Sequence, residues 1–307
     1  MRALISLGTN TSRFLVVRDL PDGSVATVEH DQVGTRLGEG LHERGTFAPA
    51  AIARNLAAVR AFAVRARELG APLASIATSA MRRADDADAF AAQVEAITGV
   101  PLRVIDGRTE AEASFRGATA GVDLGGLRIA VLDIGGGSTE CAVGTQGRVE
   151  AALSLELGSV RVGERFPELL GTSPGAPARA AAARARAAIA EIVAPLRSLR
   201  PVAQVRCVAG TPLTIGAVVH ASHVDRVSGS TLSLAELDAA IDRFLELDLA
   251  GRRALPGMLP QRADILPAGA LVLSESLVAL GVAEGYLEAN DLLLGYLLME
   301  RAAPATE

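Results

Sequence analysis

The sequence has 307 residues, half of them hydrophobic and 21% charged, which is typical of a packed globular protein with one large or two ordinary domains. Aromatic residues make up only 3% and tryptophan is absent, which argues against a platform that stacks nucleic-acid bases. The net charge of −5 disfavours a general polyanion-binding surface. All 30 basic residues are arginine, so a phosphate loop ending in Gly-Lys and a Schiff-base lysine are both excluded.

The cysteines and the N-terminus bear on the compartment. Cys141 and Cys207 lie in apolar strand-like runs and are too few for a disulfide scaffold, so buried reduced thiols are expected. Met1-Arg2 leads directly into a short strand-like run rather than a signal peptide, and no uncharged apolar stretch reaches membrane-spanning length. These features predict a soluble cytoplasmic protein with neither a nucleic-acid nor a membrane partner.

The first half of the chain begins as a meander of short strands and then alternates helices with strands. The predicted strands are 3–7, 13–18, 24–30, 74–78 and 101–105, and the predicted helices are 49–69, 84–98 and 109–118. This order indicates a mixed sheet with crossover helices. The glycine-rich stretch Gly121–Gly126 is predicted to be a linker. It separates a first domain, 1–124, which the C-terminal segment 291–307 joins, from a second domain, 125–290.

The second half repeats the mixture of strands and helices. The predicted strands are 127–133, 139–143, 147–155, 204–208 and 285–288, and the predicted helices are 161–170, 176–199, 211–220, 233–245, 262–280 and 291–301. Ser233 and Asp291 are expected to cap the helices that they open. The apolar helix 262–280 is compatible with a buried core element and with a homodimer interface, of which the core is favoured.

The most informative stretch is Asp133-Ile134-Gly135-Gly136-Gly137-Ser138-Thr139-Glu140, which ends an apolar strand-like run. Three consecutive glycines allow a tight turn and let an anion approach bare N–H groups, and the two acids could hold a divalent cation beside it. A dinucleotide fingerprint would require a helix directly after the glycines, whereas Thr139–Val143 is strand-like. A plain hairpin needs only one or two glycines. The stretch is therefore interpreted as a phosphate and metal loop.

A similar turn occurs near the N-terminus. Ser6-Leu7-Gly8-Thr9-Asn10-Thr11-Ser12 aligns with residues 133–139 at a constant offset of 127 positions (133 − 6). Each copy is a strand end, an apolar residue, a glycine, a small polar turn and a further strand. The alignment predicts a duplicated domain with a phosphate turn in each copy.

A third candidate turn is Val208-Ala209-Gly210-Thr211-Pro212, where a strand passes into a helix. The N–H groups at the start of that helix could bind phosphate. Ordinary capping by Thr211, with Pro212 at the first helical position, is equally consistent with the sequence.

Together these motifs resemble, in order and over nearly the whole chain, those of the exopolyphosphatase / guanosine pentaphosphate phosphohydrolase family. The resemblance is carried by Ile5–Arg13, Ala77–Arg82, Gly107–Gly117, Asp133–Glu140, Leu157–Arg161, Gly210-Thr211 and Arg262–Asp264. That family belongs to the actin, heat-shock ATPase and sugar kinase superfamily. The resemblance implies an α/β fold of mixed sheets with crossover helices, in two duplicated actin-like ATPase-type domains facing a cleft, and a short two-domain member.

The resemblance also implies roles for individual residues. Glu110 matches the glutamate of the family's Gly-x-x-Glu-Ala motif and would be the catalytic base, whereas the residues alone would indicate a helix N-terminal charge. Asp133 and Glu140 would hold Mg²⁺ or Mn²⁺. The residues implied to bind phosphate are Gly8, Thr9, Asn10, Thr11, Arg13, Arg82, Gly135, Gly136, Gly137, Ser138, Thr139, Gly210 and Thr211.

The chain departs from the family pattern at two places. The first turn usually begins with an aspartate, which is Ser6 here, and a Gly-Leu-Arg-Glu-Gly motif is replaced by Asp291-Leu292-Leu293-Leu294-Gly295. The loss of a carboxylate should weaken cation binding. The expected function is release of terminal phosphate from inorganic polyphosphate. A guanosine pentaphosphate 5'-phosphohydrolase is an alternative with the same chemistry, and a degenerate member that binds a phosphorylated ligand without hydrolysis is an alternative of another class.

Overall fold

The computed structural model describes residues 1–145 and 147–302, and the chain divides into two compact units. The first unit comprises Met1–Glu110 and the C-terminal segment from Tyr296, and the second comprises Ala111–Gly295. The predicted ranges 1–124 and 125–290 place the change of domain after the glycine-rich stretch instead. Leu124 in that stretch is buried in a cluster with Ala111 and Phe115 of the second unit. Residue 146 of a predicted turn and residues 303–307 of the predicted C-terminal segment lie outside the described residues.

The first unit is built on a five-stranded sheet. Its elements are β1 (Arg2–Leu7), β2 (Ser12–Asp19), β3 (Val25–Val33), α1 (Leu41–Arg44), α2 (Pro49–Glu68), β4 (Leu73–Ala77), α3 (Ala87–Thr98), β5 (Leu102–Val104) and the beginning of α4 (Gly107–Thr119). The strand order is β3-β2-β1-β4-β5, in which β1 pairs antiparallel with β2 and parallel with β4. The predicted mixed sheet is therefore confirmed.

The core of the first unit lies between this sheet and the helices α2 and α3. In α2 the buried positions Val59, Phe62 and Ala66 recur at spacings of three and four residues, so they form one apolar stripe. The ring of Phe62 stacks on that of Phe14 of β2 with centroids 5.2 Å apart. This packing holds the strand that leaves the first glycine turn.

The second unit is built on a six-stranded sheet. Its elements are the rest of α4, β6 (Ile129–Ile134), β7 (Thr139–Thr145), β8 (Arg148–Leu155), α5 (Ser159–Arg165), α6 (Ala176–Val193), β9 (Gln204–Val208), α7 (Gly210–Val219), β10 (Thr231–Ser233), α8 (Leu234–Glu246), α9 (Leu249–Arg253), α10 (Leu266–Leu280), β11 (Glu284–Leu287) and the beginning of α11 (Leu292–Ala302). The strand order is β10-β11-β9-β6-β7-β8, with β6 antiparallel to β7 and parallel to β9. Both sheets are thus mixed.

Three helices of the second unit are shorter than predicted, and each difference occurs at a proline. The predicted helices 161–170 and 176–199 end at Arg165 and Val193, and the 3₁₀ turns that follow have Pro167 and Pro195 in their first positions. The predicted helix 262–280 begins at Leu266, so that Pro267 falls in its first turn. Proline lacks an N–H group and is tolerated only in the first turn of a helix, so these boundaries follow from its chemistry.

The predicted caps and the predicted core helix are confirmed. Ser233 opens α8 with a capping box in which its hydroxyl accepts from the N–H of Glu236. Asp291 accepts from the N–H of Leu293 at 3.1 Å and so caps α11. The helix α10 is buried along nearly its whole length, which makes it a core element of the second unit. No helix within the described ranges combines the length and hydropathy needed to span a bilayer.

The two cysteines are buried and unpaired by disulfides, as predicted. Burial raises the pKa of the Cys141 thiol to about 12, and burial also raises the pKa of Cys207. Both side chains therefore serve as core residues on neighbouring parts of the second sheet.

Candidate active site

The two predicted phosphate turns are closed by the same backbone hydrogen bond. The N–H of Gly8 donates to the carbonyl of Thr11 at 3.1 Å, and the N–H of Gly135 donates to the carbonyl of Ser138 at 3.0 Å. These pairs are related by the offset of 127 that the sequence alignment predicts. The duplicated hairpin is confirmed.

The strand register shows which residues occupy equivalent places beside the two turns. Ser6 lies directly opposite Arg13 in β1–β2, and Asp133 lies directly opposite Glu140 in β6–β7. Opposite residues of an antiparallel pair share one face of the sheet. Beside the first turn, the hydroxyl of Ser6 and the guanidinium of Arg13 therefore occupy the positions that two carboxylates occupy beside the second turn.

The carbonyl groups of the second turn are held by the N-terminus of α5. The carbonyl of Gly135 accepts from the N–H of Ser159 at 3.0 Å. That of Gly136 accepts from the N–H groups of Val160 at 2.9 Å and Arg161 at 3.2 Å. The first N–H groups of a helix have no partner inside the helix, so α5 uses them to orient the loop.

This contact determines where the amides of the loop point. The carbonyl of Gly137 accepts from Nε of Arg161 at 3.0 Å, which completes a row of three carbonyls facing one way. A trans peptide directs its N–H opposite to its C=O, so the N–H groups of Gly136, Gly137 and Ser138 face away from α5. Three successive amides aimed in one direction form an anion-binding concavity. A Cβ on Gly158 would lie 2.4 Å from the carbonyl of Gly136, so glycine is needed for this approach.

The first turn is oriented in the same way by a different segment. The carbonyl of Thr9 accepts from the N–H of Gly38 at 2.8 Å, and that of Asn10 accepts from the N–H of Arg36 at 2.9 Å. By the same planarity, the amides of Asn10 and Thr11 face away from that segment. Arg36 adopts a left-handed φ of 54°, and a Cβ on Gly38 would lie 2.3 Å from the Thr9 methyl group.

The equivalent hydroxyls that follow each turn bond to neighbouring segments. The Thr139 hydroxyl donates to the carbonyl of Leu157 at 2.6 Å, and the Ser12 hydroxyl donates to Oδ1 of Asn55 at 2.8 Å. Both residues are fully buried. The Thr139 hydroxyl, which was predicted to contact phosphate, thus donates to the backbone segment that supports the loop.

Asp133 and Glu140 form a buried pair of carboxylates beside the second turn, with 6% and 1% of their surfaces exposed. Oδ2 of Asp133 accepts from the Ser114 hydroxyl at 2.6 Å, and Oε1 of Glu140 accepts from the Ser154 hydroxyl at 2.7 Å. Within residues 1–145 and 147–302, no cluster of three or more His, Cys, Asp or Glu side chains could cage a metal. Mg²⁺ is usually held by one or two carboxylates together with substrate phosphate, and this pair fits that requirement.

Glu110 is held in the first unit by an arginine. Nη1 of Arg82 donates to Oε2 of Glu110 at 3.0 Å and to the carbonyl of Ile105 at 2.8 Å. Asp106 caps the helix by accepting from the N–H of Thr109 at 2.7 Å. That hydrogen bond, followed by the side chain of Thr109 and the charge of Arg82, lowers the pKa of Asp106 below its ordinary value. The predicted base and one predicted phosphate-binding arginine are therefore adjacent.

The third turn differs from the capping alternative that the sequence left open. The helix α7 begins at Gly210 without a side-chain cap, and Pro212 is its third residue, so capping by Thr211 is wrong. The residue before the helix, Ala209, has φ 71° and ψ 178°. This backbone region is almost exclusive to glycine and costs about 1–3 kcal/mol, so the surrounding structure holds the turn in place.

Two contacts around this turn were not predicted from the sequence. A Cβ on Gly210 would lie 2.1 Å from Nη2 of Arg262, so the buried guanidinium lies against the start of α7. A Cβ on Gly269 of α10 would lie 2.4 Å from the methyl group of Thr211 and 3.3 Å from Ser159. Gly269 thus lies between the third turn and the segment that supports the glycine loop.

The departure near the C-terminus is a change in packing. Leu293 and Leu294 are buried, where an arginine and a glutamate would need partners. A Cβ on Gly295 would lie 1.7 Å from the carbonyl of Ala113, so the final glycine of the motif is required where α4 and α11 cross. This region carries no predicted site residue.

These features define a class of protein: an α/β protein in which a strand–turn–strand glycine motif, of a kind suited to anion binding, occurs once in each of two mixed sheets. A family model described as the Ppx/GppA phosphatase family matches residues 16–287. The chain belongs to this family and is a hydrolase acting on phosphoric anhydrides. The resemblance to this family and the predicted α/β fold, with a mixed sheet in each of two domains, are confirmed.

The relatives agree with this assignment. Exopolyphosphatase 2 of Mycobacterium tuberculosis is 33% identical over 293 residues, which cover 89% of this chain and 88% of the relative. A crystal structure of an exopolyphosphatase-like protein, 30% identical, superposes with a TM-score of 0.88 over 97% of this chain and 96% of its own. A Ppx/GppA family member from Aquifex aeolicus has the same fold, with a TM-score of 0.80 at 22% identity over 99% and 98% of the two chains.

Proposed function

We propose that this phosphatase is an exopolyphosphatase, which releases the terminal phosphate of inorganic polyphosphate. The observation that carries the proposal is the second turn, where three amides face one direction beside the buried acids Asp133 and Glu140. A chain end with repeated phosphate groups supplies the anions that such a concavity binds. The name of the Mycobacterium tuberculosis relative, an exopolyphosphatase, supports this substrate class.

In the proposed reaction, Glu110 accepts a proton from water as the water oxygen attacks the terminal phosphorus. The bond from that phosphorus to the bridging oxygen breaks, and orthophosphate and a chain shorter by one unit are released. Arg82 holds the Glu110 carboxylate in one orientation through the hydrogen bond at 3.0 Å. The amides of Gly136, Gly137 and Ser138 stabilise negative charge on the phosphoryl oxygens. A cation held by Asp133 and Glu140, Mg²⁺ or Mn²⁺, would neutralise further charge on the phosphoryl group.

The remaining residues predicted to bind phosphate are proposed to serve the same reaction. The amides of the first turn, with Arg13 beside them, suit further phosphate groups of the chain. The start of α7, with the guanidinium of Arg262 against it, suits another. The phosphate-binding roles of all these residues, Gly8, Gly210 and Thr211 included, stay predictions, as do the choice of metal and a cytoplasmic location.

The test is to measure phosphate release from polyphosphate and from guanosine pentaphosphate, each with and without Mg²⁺. The wild type is compared with Glu110→Gln and with Glu112→Gln, a control on the same helix. We expect Mg²⁺-dependent release from polyphosphate, a loss of roughly 10²- to 10⁴-fold in Glu110→Gln, and little change in Glu112→Gln.

The outcomes separate the alternatives. Release from guanosine pentaphosphate alone would replace the substrate and keep the chemistry. No release from either substrate, with retained binding of polyphosphate, would identify a non-catalytic member. Equal rates in Glu110→Gln and the wild type would remove Glu110 from the reaction.

A further inference from the structure

Each carboxylate of the buried acidic pair accepts a short hydrogen bond from a serine on a different element. The hydroxyl of Ser114 on α4 lies 2.6 Å from Oδ2 of Asp133, and that of Ser154 on β8 lies 2.7 Å from Oε1 of Glu140. Hydroxyl-to-carboxylate bonds of this length are charge-assisted and stronger than neutral ones. Ser114 lies within the Gly107–Gly117 stretch that carries the resemblance but received no role there, and Ser154 belongs to no stretch that the sequence singled out.

The fold explains why Ser114 reaches Asp133. Ala111, Phe115 and Ala118 of α4 pack on the face of the sheet that includes Val131 of β6. Ser114 lies on the same stripe of α4, one turn before Ala118, and is 1% exposed. Because side chains alternate along a strand, Asp133 shares the face of Val131 and meets this hydroxyl.

The strand register explains why Ser154 reaches Glu140. The two residues are directly opposite each other in the antiparallel pair β7–β8. Their side chains therefore share the face that also carries Asp133. Unlike Ser114, Ser154 lies on the edge strand and is exposed, so water competes for its hydrogen bond.

We propose that Ser114 and Ser154 are positioning residues that set the affinity of Asp133 and Glu140 for a divalent cation. The inference rests on the proposed function, in which these carboxylates hold the cation. A hydrogen bond to one oxygen fixes the plane of the carboxylate, and the two hydroxyl dipoles also offset the repulsion between two like charges on one face. Loss of such a supporting bond typically weakens metal binding by roughly 10- to 100-fold.

The experiment measures Mn²⁺ binding by the full chain, with and without inorganic phosphate, from the electron paramagnetic resonance signal of free Mn²⁺. Ser114→Ala should raise the dissociation constant by roughly 10- to 100-fold, and Ser154→Ala by less because its bond is exposed to water. Ser154→Thr, which keeps the hydroxyl, should bind as the wild type does. In an Asp133→Asn background, Ser114→Ala should add no further loss.

The matched control is Ser274→Ala. Ser274 is a buried serine of α10 whose hydroxyl accepts from Arg186 at 3.2 Å, remote in sequence from both turns. The Ser274→Ala variant should bind Mn²⁺ as tightly as the wild type. A loss of Mn²⁺ affinity in Ser114→Ala but not in Ser274→Ala, at a similar fall in melting temperature, would support the positioning role.

Three results would overturn the inference. Unchanged Mn²⁺ affinity in both alanine variants, with binding and phosphate release intact in the wild type, would remove the serines and leave the proposed function standing. An equal loss of affinity in Ser274→Ala would assign the effect to general packing. A wild type that binds no Mn²⁺, with or without phosphate, would overturn the metal site itself. If that protein still hydrolysed polyphosphate without a divalent cation, the proposed function would stand without the metal site.

Discussion

Nη1 of Arg82 donates to Oε2 of Glu110 at 3.0 Å and, from the same nitrogen, to the carbonyl of Ile105. Arg82 has a side chain that is 20% exposed and Glu110 one that is 8% exposed, so the pair is largely shielded from water. The sequence assigned Arg82 to phosphate. The hydrogen bond also allows Arg82 to orient Glu110, the proposed base.

Arg82→Met should therefore lower kcat on polyphosphate more than it changes KM, because the carboxylate would lose its fixed orientation. We expect a loss of roughly 10- to 100-fold, below the whole contribution of a general base. Arg83→Met, at the exposed neighbouring residue, is the control and should retain the wild-type rate. A raised KM with unchanged kcat would instead make Arg82 a substrate clamp.

Ser6→Asp tests the asymmetry between the two turns. The substitution would place a carboxylate opposite Arg13, at the position equivalent to Asp133 in the other sheet. An added carboxylate increases the charge available to a cation, so the half-saturating Mg²⁺ concentration in phosphate release should fall about tenfold, equivalent to about 1.4 kcal/mol. Ser6→Asn, with similar shape and no charge, should not change it. An unchanged Mg²⁺ requirement in Ser6→Asp would indicate that the first turn takes no part in cation binding.

The strand–turn–strand units could be predicted from the sequence because their signals are local. An apolar run, a glycine and a polar turn at a fixed offset are visible without knowledge of tertiary contacts, and they also identify Ser6 as the equivalent of Asp133. The supporting segments could not be predicted in this way. Tertiary packing brings Gly38 and Gly158 next to the turns. Each position requires glycine only because a side chain there would collide with Thr9 or Gly136.

The helix boundaries show a second limit of local patterns. Apolar periodicity continues through Pro167, Pro195 and Pro267, so periodicity alone predicts helices that are too long. The missing N–H of proline decides where each regular helix begins or ends. In contrast, the serines that hold the acidic pair leave no signal of either kind, since a lone serine on a helix or an edge strand is common.

The buried thiols should be unreactive in the folded protein. Burial raises the pKa of Cys141 to about 12 and also raises that of Cys207, so both remain protonated at pH 8. A colourimetric disulfide reagent should therefore label neither residue in the native state and both in urea. Rapid labelling of the native chain would contradict the buried positions.

The same shift predicts how stability depends on pH. A thiol whose pKa is higher in the folded than in the unfolded state contributes stability that is full below the unfolded value and is lost as pH rises above it. The free energy of unfolding should thus fall between about pH 9 and pH 12, by up to about 1.4 kcal/mol per pH unit for each thiol. Urea titrations of the wild type and of the double variant Cys141→Ala/Cys207→Ala would measure this, and the double variant should have the shallower slope.

Ala209→Gly should stabilise the second unit, because the φ of 71° at this residue is strained for alanine and not for glycine. The relief, less the extra entropy of glycine in the unfolded chain, is expected to be roughly 1 kcal/mol. Urea unfolding measures the change. Ala217→Gly, in the interior of α7, is the opposite case and should destabilise the protein by about 1 kcal/mol or more. A loss of stability in Ala209→Gly would show that the Ala209 side chain contributes more packing than strain.

Gly158→Ala should damage the second turn while leaving the residues of that turn unchanged. The added methyl group would lie 2.4 Å from the carbonyl of Gly136 and 2.5 Å from the N of Gly137, so the loop or α5 must move. Such overpacking typically costs about 1–3 kcal/mol, and the displacement should also turn the amides of the loop away from the phosphate. We expect kcat/KM on polyphosphate to fall by roughly 100-fold, a loss out of proportion to the fall in melting temperature.

The control for this prediction is Gly251→Ala, where the nearest atom is a flexible leucine side-chain carbon at 3.1 Å. It should retain the wild-type kcat/KM with a comparable or smaller change in stability. If Gly158→Ala kept full activity, the contact with α5 would not be what orients the amides, and the orientation would then depend on the closing bond between Gly135 and Ser138. The two variants therefore distinguish a loop whose amides are oriented by the contact with α5 from one whose amides are oriented by the hydrogen bond that closes its own turn.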